Sequence, residues 1–232
     1  MLDARDLVSG YGSGKVLNGA SLSVSKGEVV AVMGRNGVGK TTFLKTLMGT
    51  ISPQTGTIKF ESSSLTGLPT HRISQLGLGY VPQGRGIFDR LTVEENLQMG
   101  LRAQPGLKHA IPEFIYERFP ILFERRRQLA GTLSGGQKQQ LAISRALCGD
   151  PKILLLDEPS EGIQPNIVQD IGTFIRELAE SQGIATLLVE QNLELISIAC
   201  DRFEIMEKGI FVHRGARSEL QDEAMLKKYL AV

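Results

Sequence analysis

Two acids and a glycine loop carry the residue types of phosphate chemistry. The stretch Gly34-Arg35-Asn36-Gly37-Val38-Gly39-Lys40-Thr41-Thr42 fits G-x-x-x-x-G-K-[ST] at every fixed position. Such glycines let the backbone approach closely and turn its N–H groups inward as a nest for anionic oxygens. A helix starting at the loop's end adds its partial positive charge. Lys40 supplies a point charge for β- and γ-phosphates, and the Thr41 hydroxyl is placed to ligate Mg²⁺. Far along the chain, Asp157-Glu158 closes an apolar run, Ile153-Leu154-Leu155-Leu156. Beside a phosphate loop, Asp157 would hold Mg²⁺ through its water shell. Glu158 would polarise an attacking water, as general base or as its positioner. The bland alternatives are a glycine-rich turn and a pair of loop acids. Correct flanking elements disfavour the first, and the phosphate loop disfavours the second.

Three more features could join this chemistry. Ser134-Gly135-Gly136-Gln137 precedes a helix expected over 138–147, which makes a second anion site. One nucleotide does not need two phosphate-binding helix ends so far apart, so the second suits a nucleotide held by another subunit. Gln83 closes the run Leu78-Gly79-Tyr80-Val81-Pro82. There it could accept from a nucleophilic water, sit beside Mg²⁺, or simply satisfy strand-end backbone. Tyr11 lies between Gly10 and Gly12; its ring could stack on a flat base or cover a sheet edge.

These groups need elements to hold them. Val29-Val30-Ala31-Val32-Met33 reads as a buried strand and Phe43-Leu44-Lys45-Thr46-Leu47-Met48 as a helix stopped by Gly49. Leu78-Gly79-Tyr80-Val81, Ile153-Leu154-Leu155-Leu156 and Ala185-Thr186-Leu187-Leu188-Val189 read as further buried strands, the last ending in Glu190-Gln191-Asn192. Residues 16–17, 22–24 and 58–60 look like pieces of strand, with Lys26-Gly27 as a turn. A short helix is expected around 71–73, an amphipathic one over 171–178 before Gly183, and strands at 203–206 and 210–212 about Lys208-Gly209. Between 84 and 132 the pattern turns helical. Thr92 and Glu95 form a capping box, and helical pieces at 111–119 and 121–128 are split by Pro112 and Pro120. Arg125-Arg126-Arg127 reads as a solvated face, with phosphate or lipid binding as the minor alternative. The tail over 218–230 looks helical.

Composition narrows the class. With 232 residues and 41% hydrophobic content the chain suits one domain with a sizeable core. A net charge of +1 offers no broad basic face for nucleic acid. Cys148 and Cys200 give neither a disulfide framework nor metal-ligand spacing, which suits a reducing cytosol. The N-terminus lacks a signal-peptide core, and no apolar run is long enough to span a bilayer.

Together these pieces resemble the ATP-binding subunit of an ABC transporter, over essentially the whole chain. Residues 34–42 match Walker A, Leu133-Ser134-Gly135-Gly136-Gln137 reads as the LSGGQ signature, and 153–158 match Walker B. Gln83 falls at the Q-loop and Tyr11 at the position that stacks on adenine. The GTPase pattern N-K-x-D is absent, which argues for ATP. The resemblance implies an α/β fold: a RecA-like P-loop NTPase core, a small antiparallel β subdomain and a helical signature subdomain. One domain, 1–232, would comprise a core of about 1–83 and 150–232, with the helical part at about 84–149. It implies ATP and Mg²⁺ as cofactors, with Thr41, Gln83 and Asp157 as the Mg²⁺ set. Two subunits would meet head to tail, so that Ser134, Gly135, Gly136 and Gln137 serve the partner's ATP. It also implies membrane permease subunits docked near Gln83 and the helical insertion, an indirect periplasmic or extracellular solute-binding protein, and a peripheral place on the cytoplasmic face of the inner membrane.

Two departures from the family pattern bear on the chain's own site. The switch histidine expected after Val189-Glu190 is replaced by Gln191, and the loop after Walker B reads Ser160-Glu161-Gly162-Ile163 in place of S-A-L-D. Gln191 then joins Glu158 and Gln83 as the implied catalytic set. Glu190-Gln191-Asn192 and Glu161-Gly162-Ile163-Gln164-Pro165 look like the importers for branched-chain amino acids and urea. The second stretch, with Arg35-Asn36-Gly37 and Gly84-Arg85-Gly86-Ile87-Phe88, leans to the urea type. The chain ends soon after Met206, so the regulatory domain of some ABC ATPases is expected to be missing. The alternatives are a non-transport ABC ATPase, usually marked by two cassettes or a long coiled-coil insertion, and a regulatory subunit that binds ATP and hydrolyses it weakly.

Overall fold

Two long antiparallel strands open the chain, β1 (Leu2–Tyr11) and β2 (Gly14–Val24). The structure, a computed structural model, describes residues 1–103, 110–222 and 227–229. In β1 the buried positions change parity, from Leu2 and Ala4 to Leu7 and Ser9. A bulge causes this: Ala4 faces Leu22 while Leu7 faces Ala20, and Asp6 turns to φ 50° with its N–H on Ser21 Oγ. The extra residue keeps both halves of the strand facing one core.

After β2 come β3 (Val29–Met33) and α1 (Lys40–Leu47), then β4 (Thr55–Phe60), β5 (Ser63–Ser64), α2 (Thr70–Gln75) and β6 (Leu78–Val81). Among the described residues, α3 (Val93–Leu101), α4 (Glu113–Arg118), α5 (Pro120–Glu124), a 3-10 turn (Ala130–Thr132) and α6 (Gly135–Leu147) follow. The chain then alternates β7 (Ile153–Asp157), α7 (Pro165–Gln182), β8 (Ala185–Val189) and α8 (Leu193–Ala199), and continues into β9 (Arg202–Glu207) and β10 (Ile210–Ala216).

One sheet is antiparallel, in the order β2-β1-β4-β5. The other runs β10-β9-β3-β8-β7-β6, parallel throughout except for β10. Parallel strands covered on both faces read as continuous apolar runs, and these divide their side chains between two cores. Val29, Ala31 and Met33 enter the core with α6, α7 and α8, while Val30 and Val32 enter the core with α1 and the antiparallel sheet. Leu154 and Leu156 divide from Ile153 and Leu155 in the same way. Because β3, β8, β7 and β6 are successive neighbours pointing the same way, the loops after them lie side by side at one edge. Open parallel sheets place ligands at that carboxyl edge.

Several expectations are met by longer or shorter elements. The pieces at 16–17 and 22–24 are one continuous β2. The helix expected over 121–128 ends at Glu124, with Arg125-Arg126-Arg127 in a turn. The expected tail helix is a 3-10 turn at Arg217–Gln221 and a helical 227–229, the rest lying outside the described residues. The capping box on α3 is present, Thr92 Oγ1 accepting from the Glu95 N–H and Glu95 Oε2 from the Thr92 N–H. α8 escapes a sequence reading because seven residues rich in Ile and Leu show no helical period long enough to separate from a strand.

Within the helical region, α3 presses directly on α6. A Cβ at Gly100 would sit 2.0 Å from the Arg145 carbonyl oxygen and 2.9 Å from Cys148 Cβ. Backbone cannot yield as a flexible side chain can, so the two helices would separate. Gly100→Ala is expected to destabilise the fold by roughly 1–3 kcal/mol, the usual cost of overpacking. Urea unfolding measures it, and an unchanged midpoint would show that the contact is not tight.

Candidate functional site

The first support of the site is the loop at 34–39. Gly34 adopts φ 147°, and a Cβ there would lie 2.4 Å from the Met206 carbonyl oxygen, so the loop can press on β9 only with glycine. Gly39 caps α1, which starts at Lys40. Arg35, Asn36 and Gly37 lie at the surface, while Val38 packs against the core beside α1. Lys40 Nζ curls back over the loop and donates to the carbonyls of Gly34 at 2.7 Å and Arg35 at 3.0 Å. Burial pulls its pKa down, while Glu158, Asp157 and Glu190 push it up. The lysine is a buried cation in the field of three carboxylates, bonded to backbone carbonyls.

Asp157 ends β7 and is 1% exposed. Thr41 Oγ1 donates to its Oδ1 at 3.1 Å, and the Tyr80 hydroxyl donates to its Oδ2 at 3.3 Å. Burial raises the Asp157 pKa; the charge of Glu158 pushes the same way, and the Thr41 and Tyr80 hydroxyls oppose. Tyr80 shifts upward too, chiefly by burial and then by the Asp157 charge. Two hard oxygens, Thr41 Oγ1 and the carboxylate, thus meet beside the phosphate loop. That donor set fits Mg²⁺, which keeps several waters and takes few protein oxygens. Among the described residues no cluster of three His, Cys, Asp or Glu could hold a metal alone.

Glu158 stands at φ 49°, in the left-handed region that costs a non-glycine residue of order 1 kcal/mol. Its N–H donates to Val189 O at 2.8 Å, which fixes the strained turn to β8. Its carboxylate is held from both sides. Gln83 Nε2 donates to Oε2 at 3.0 Å, and Gln191 Nε2 donates to Oε1 at 3.2 Å. Gln83 also donates to Glu161 at 3.2 Å, and Gln191 to Asn36 Oδ1 at 2.7 Å. The expected catalytic set Glu158, Gln83 and Gln191 therefore meets in one hydrogen-bonded row. Gln83, expected also beside Mg²⁺, points its amide at Glu158 and Glu161 instead of the Asp157–Thr41 pair.

Thr42 is buried within α1, and its carbonyl accepts from Thr46. Tyr11, at the end of β1, is 54% exposed, with Lys45 Nζ 5.9 Å from its ring centroid. An open face near the phosphate loop suits stacking on a base.

The second anion site is built as a capping box. Ser134 Oγ accepts from the Gln137 N–H at 3.4 Å, and Gln137 Oε1 accepts from the Ser134 N–H at 3.1 Å. Gly135 and Gly136 face a groove shared with Gly162 and Ile163, from the loop beyond β7, and with Ile167 in the first turn of α7. Among the described residues no hydrogen bond joins 134–137 to 34–42.

Sequence reading missed three contacts of this site. Glu190 receives three backbone N–H groups, Tyr80 buttresses Asp157, and Asn36 holds Gln191. A signal existed for Glu190: an acid directly after a five-residue apolar strand, the same placement as Glu158 after β7. For Tyr80 nothing local distinguishes it, and Asn36 is legible as a residue of the phosphate loop but not as the partner of Gln191.

Comparison with known proteins bears on this arrangement. The family model described as ABC transporter matches residues 17–161. The high-affinity branched-chain amino acid transport ATP-binding protein BraG of Pseudomonas aeruginosa is 42% identical over 222 residues, 95% of each chain. The lipopolysaccharide export system ATP-binding protein LptB of Escherichia coli K12 is 35% identical over 235 residues, 99% of this chain and 96% of that one. Among solved structures, the ADP conformation of the ATP-binding cassette MJ1267 superposes with a TM-score of 0.84 at 29% identity, covering 99% of this chain and 96% of that one.

Two predictions follow from the geometry. Lys40→Ala removes the cation of the loop, and charge-assisted bonds of this kind are worth roughly 1.5–3 kcal/mol each. ATP affinity should fall at least about tenfold, and an ATP titration with wild-type affinity would remove Lys40 from the site. Asp157→Asn tests the charge. A raised carboxyl pKa contributes stability only at low pH and loses it as pH rises through the folded value. Ionised Asp157 therefore costs stability at neutral pH. Asp157→Asn should melt no lower than wild type at neutral pH, and its advantage should shrink as pH falls toward about 4. A clearly lower melting temperature at neutral pH would contradict this.

Proposed function

Because this chain belongs to the ABC transporter family of ATP-binding subunits, we propose that it energises import of a small polar solute through separate membrane permeases. The chain is an ATPase subunit that binds ATP. Our reading extends this to residues. Tyr11 stacks on adenine, and the 34–42 loop wraps the phosphates, with Lys40 moving from the Gly34 and Arg35 carbonyls to phosphate oxygens. Thr41 and Asp157 would hold Mg²⁺, which would screen phosphate charge. Glu158 takes or orients the proton of the attacking water, while Gln83 and Gln191 hold its carboxylate from either side. The observation that carries this reading is Glu158 pinned between those two amides beside the Asp157–Thr41 pair.

Ser134, Gly135, Gly136 and Gln137 would serve a partner's ATP, a reading supported by the lack of any hydrogen bond between them and this chain's own loop among the described residues. Chain organisation follows: one domain, with the helical part at about 84–149 carrying the signature. The permease would dock on the groove between β6 and α3, where Phe88 and Met99 are exposed and the Arg145 guanidinium lies 5.1 Å from the Phe88 ring. No helix among the described residues is long and apolar enough to cross a membrane. As an ATP-binding subunit of a transporter, it would sit peripherally, on the cytoplasmic face, and meet a solute-binding protein only through the permease.

For the solute, similarity to BraG supports a branched-chain amino acid. Urea rests on the short stretches at 35–37, 84–88 and 161–165 alone. Similarity to LptB over nearly the whole chain supports export as a second reading.

Gln191 stands where the family's histidine is expected, and that sets the test. An amide donates but carries no proton charge, and a charged donor bonds an oxyanion about twice as strongly as a neutral one. A non-identical partner that retains the histidine is then expected, with the site on this chain's loop the slower. The chain alone should bind ATP yet turn it over slowly, and adding the partner should raise the rate. Gln191→His should speed the lone chain. If the lone chain already matches the mixed complex and Gln191→His changes neither, a homodimer is the functional form.

A further inference from the structure

At the end of β8 one buried carboxylate stands where two loops meet. Glu190 is 3% exposed, and its own N–H donates to Val32 O at 3.1 Å, fixing it to β3. Oε1 accepts from the N–H groups of Gln191 at 2.7 Å and Asn192 at 2.9 Å. Oε2 accepts from the Ser160 N–H at 3.1 Å. No ion pair among the described residues neutralises it, although Lys40 senses its charge. A buried carboxylate without a cation is costly unless hydrogen-bonded. Converging backbone N–H groups form a nest that can hold it.

Those donors come from the loops that carry the reacting groups. Ser160 lies two residues past Glu158, and Gln191 is itself one of the row. The contacts close a ring: Glu190 Oε2 to Ser160, back along the chain to Glu158, across to Gln191 Nε2, and from the Gln191 N–H to Glu190 Oε1. We propose that Glu190 is a positioning residue for ATP hydrolysis, a two-ended clamp that sets the distance between Gln191 and Glu158. The proposal rests on the roles given above to those two residues. It differs from simple satisfaction of three N–H groups, because a clamp couples to Gln191 energetically and plain satisfaction does not.

Glu190→Gln tests it in the full chain. The amide keeps the size, but one end now presents N–H to an N–H donor, so one loop is released. Turnover at saturating ATP should fall at least about tenfold, since an ångström of misplacement can cost about 10²-fold. ATP affinity should stay within about threefold, as for an interaction that matters only in the transition state. Glu190→Gln combined with Gln191→Ala should lose less than the product of the single losses, as coupled neighbours do. Unchanged turnover, a loss confined to ATP affinity, or strictly multiplicative losses would each overturn the clamp. Should Glu190→Gln fail to fold, Glu190→Asp is judged by the same criteria: its carboxylate is one methylene too short to reach both loops. Glu158→Gln is the control. If that variant keeps wild-type turnover, the reading of the site fails; if it is inactive while Glu190→Gln is unimpaired, only the clamp fails.

Discussion

Negative charge crowded at strand ends is the constraint on which this structure turns. Asp157, Glu158 and Glu190 follow or close two neighbouring buried strands, and all three act on the Lys40 ammonium. Like charges so close repel strongly in a low-dielectric setting. Each is answered locally and differently. Asp157 has two hydroxyls, Glu158 two amides, and Glu190 three backbone N–H groups. The differing answers suit differing tasks. A carboxylate held by hydroxyls in a buried corner welcomes a cation, while one held by exposed amides can exchange a partner for water. One locked in backbone N–H groups can do neither and serves geometry.

The parallel sheet makes that crowding possible. β3, β8, β7 and β6 are paired in register, so the residues just beyond them come together without long-range loops. Asp157 faces Val189 across the β7–β8 pair, which puts Glu158 and Glu190 on adjacent strand exits. Both faces of these strands are filled by apolar side chains, so the edge is rigid by packing. The bulge in β1 and the close approach of Gly34 to Met206 do the same for the loop and the antiparallel sheet.

Much of this was legible in the sequence. The loop at 34–42, the apolar strands and the capping box of Thr92 and Glu95 declare themselves through residue type, period and spacing, because each is decided within a few residues. What stayed hidden depends on tertiary placement. Ser160 and Glu190 are 30 residues apart, and only pairing of β7 with β8 makes them partners. Gln191 reaches Asn36 across 155 residues. Tyr80 reads as a strand residue until β6 is seen beside β7. α8 was missed for the opposite reason: its signal is local but too short, and Asn192, whose side chain caps it by accepting from the Leu195 N–H, reads equally as a loop residue.

The hydrogen bonds of Gln191 show how its amide could move from a resting to a working position. Both of its N–H donors are engaged, one by the neutral Asn36 carbonyl oxygen and one by the Glu158 carboxylate. A neutral hydrogen bond is worth about 0.5–1.5 kcal/mol net, and one to a charged group about 1.5–3 kcal/mol. The Asn36 contact is therefore the cheaper to release, although it is the shorter. A phosphate oxygen arriving at the loop that carries Asn36 is a charged acceptor and would more than replace it. The amide could then turn to phosphate without leaving Glu158, whereas a neutral imidazole has a single N–H and must choose between the two. The substitution that weakens the donor thus also lets it hold both groups at once, and a backbone fixed by Glu190 is what keeps that side chain within reach of both.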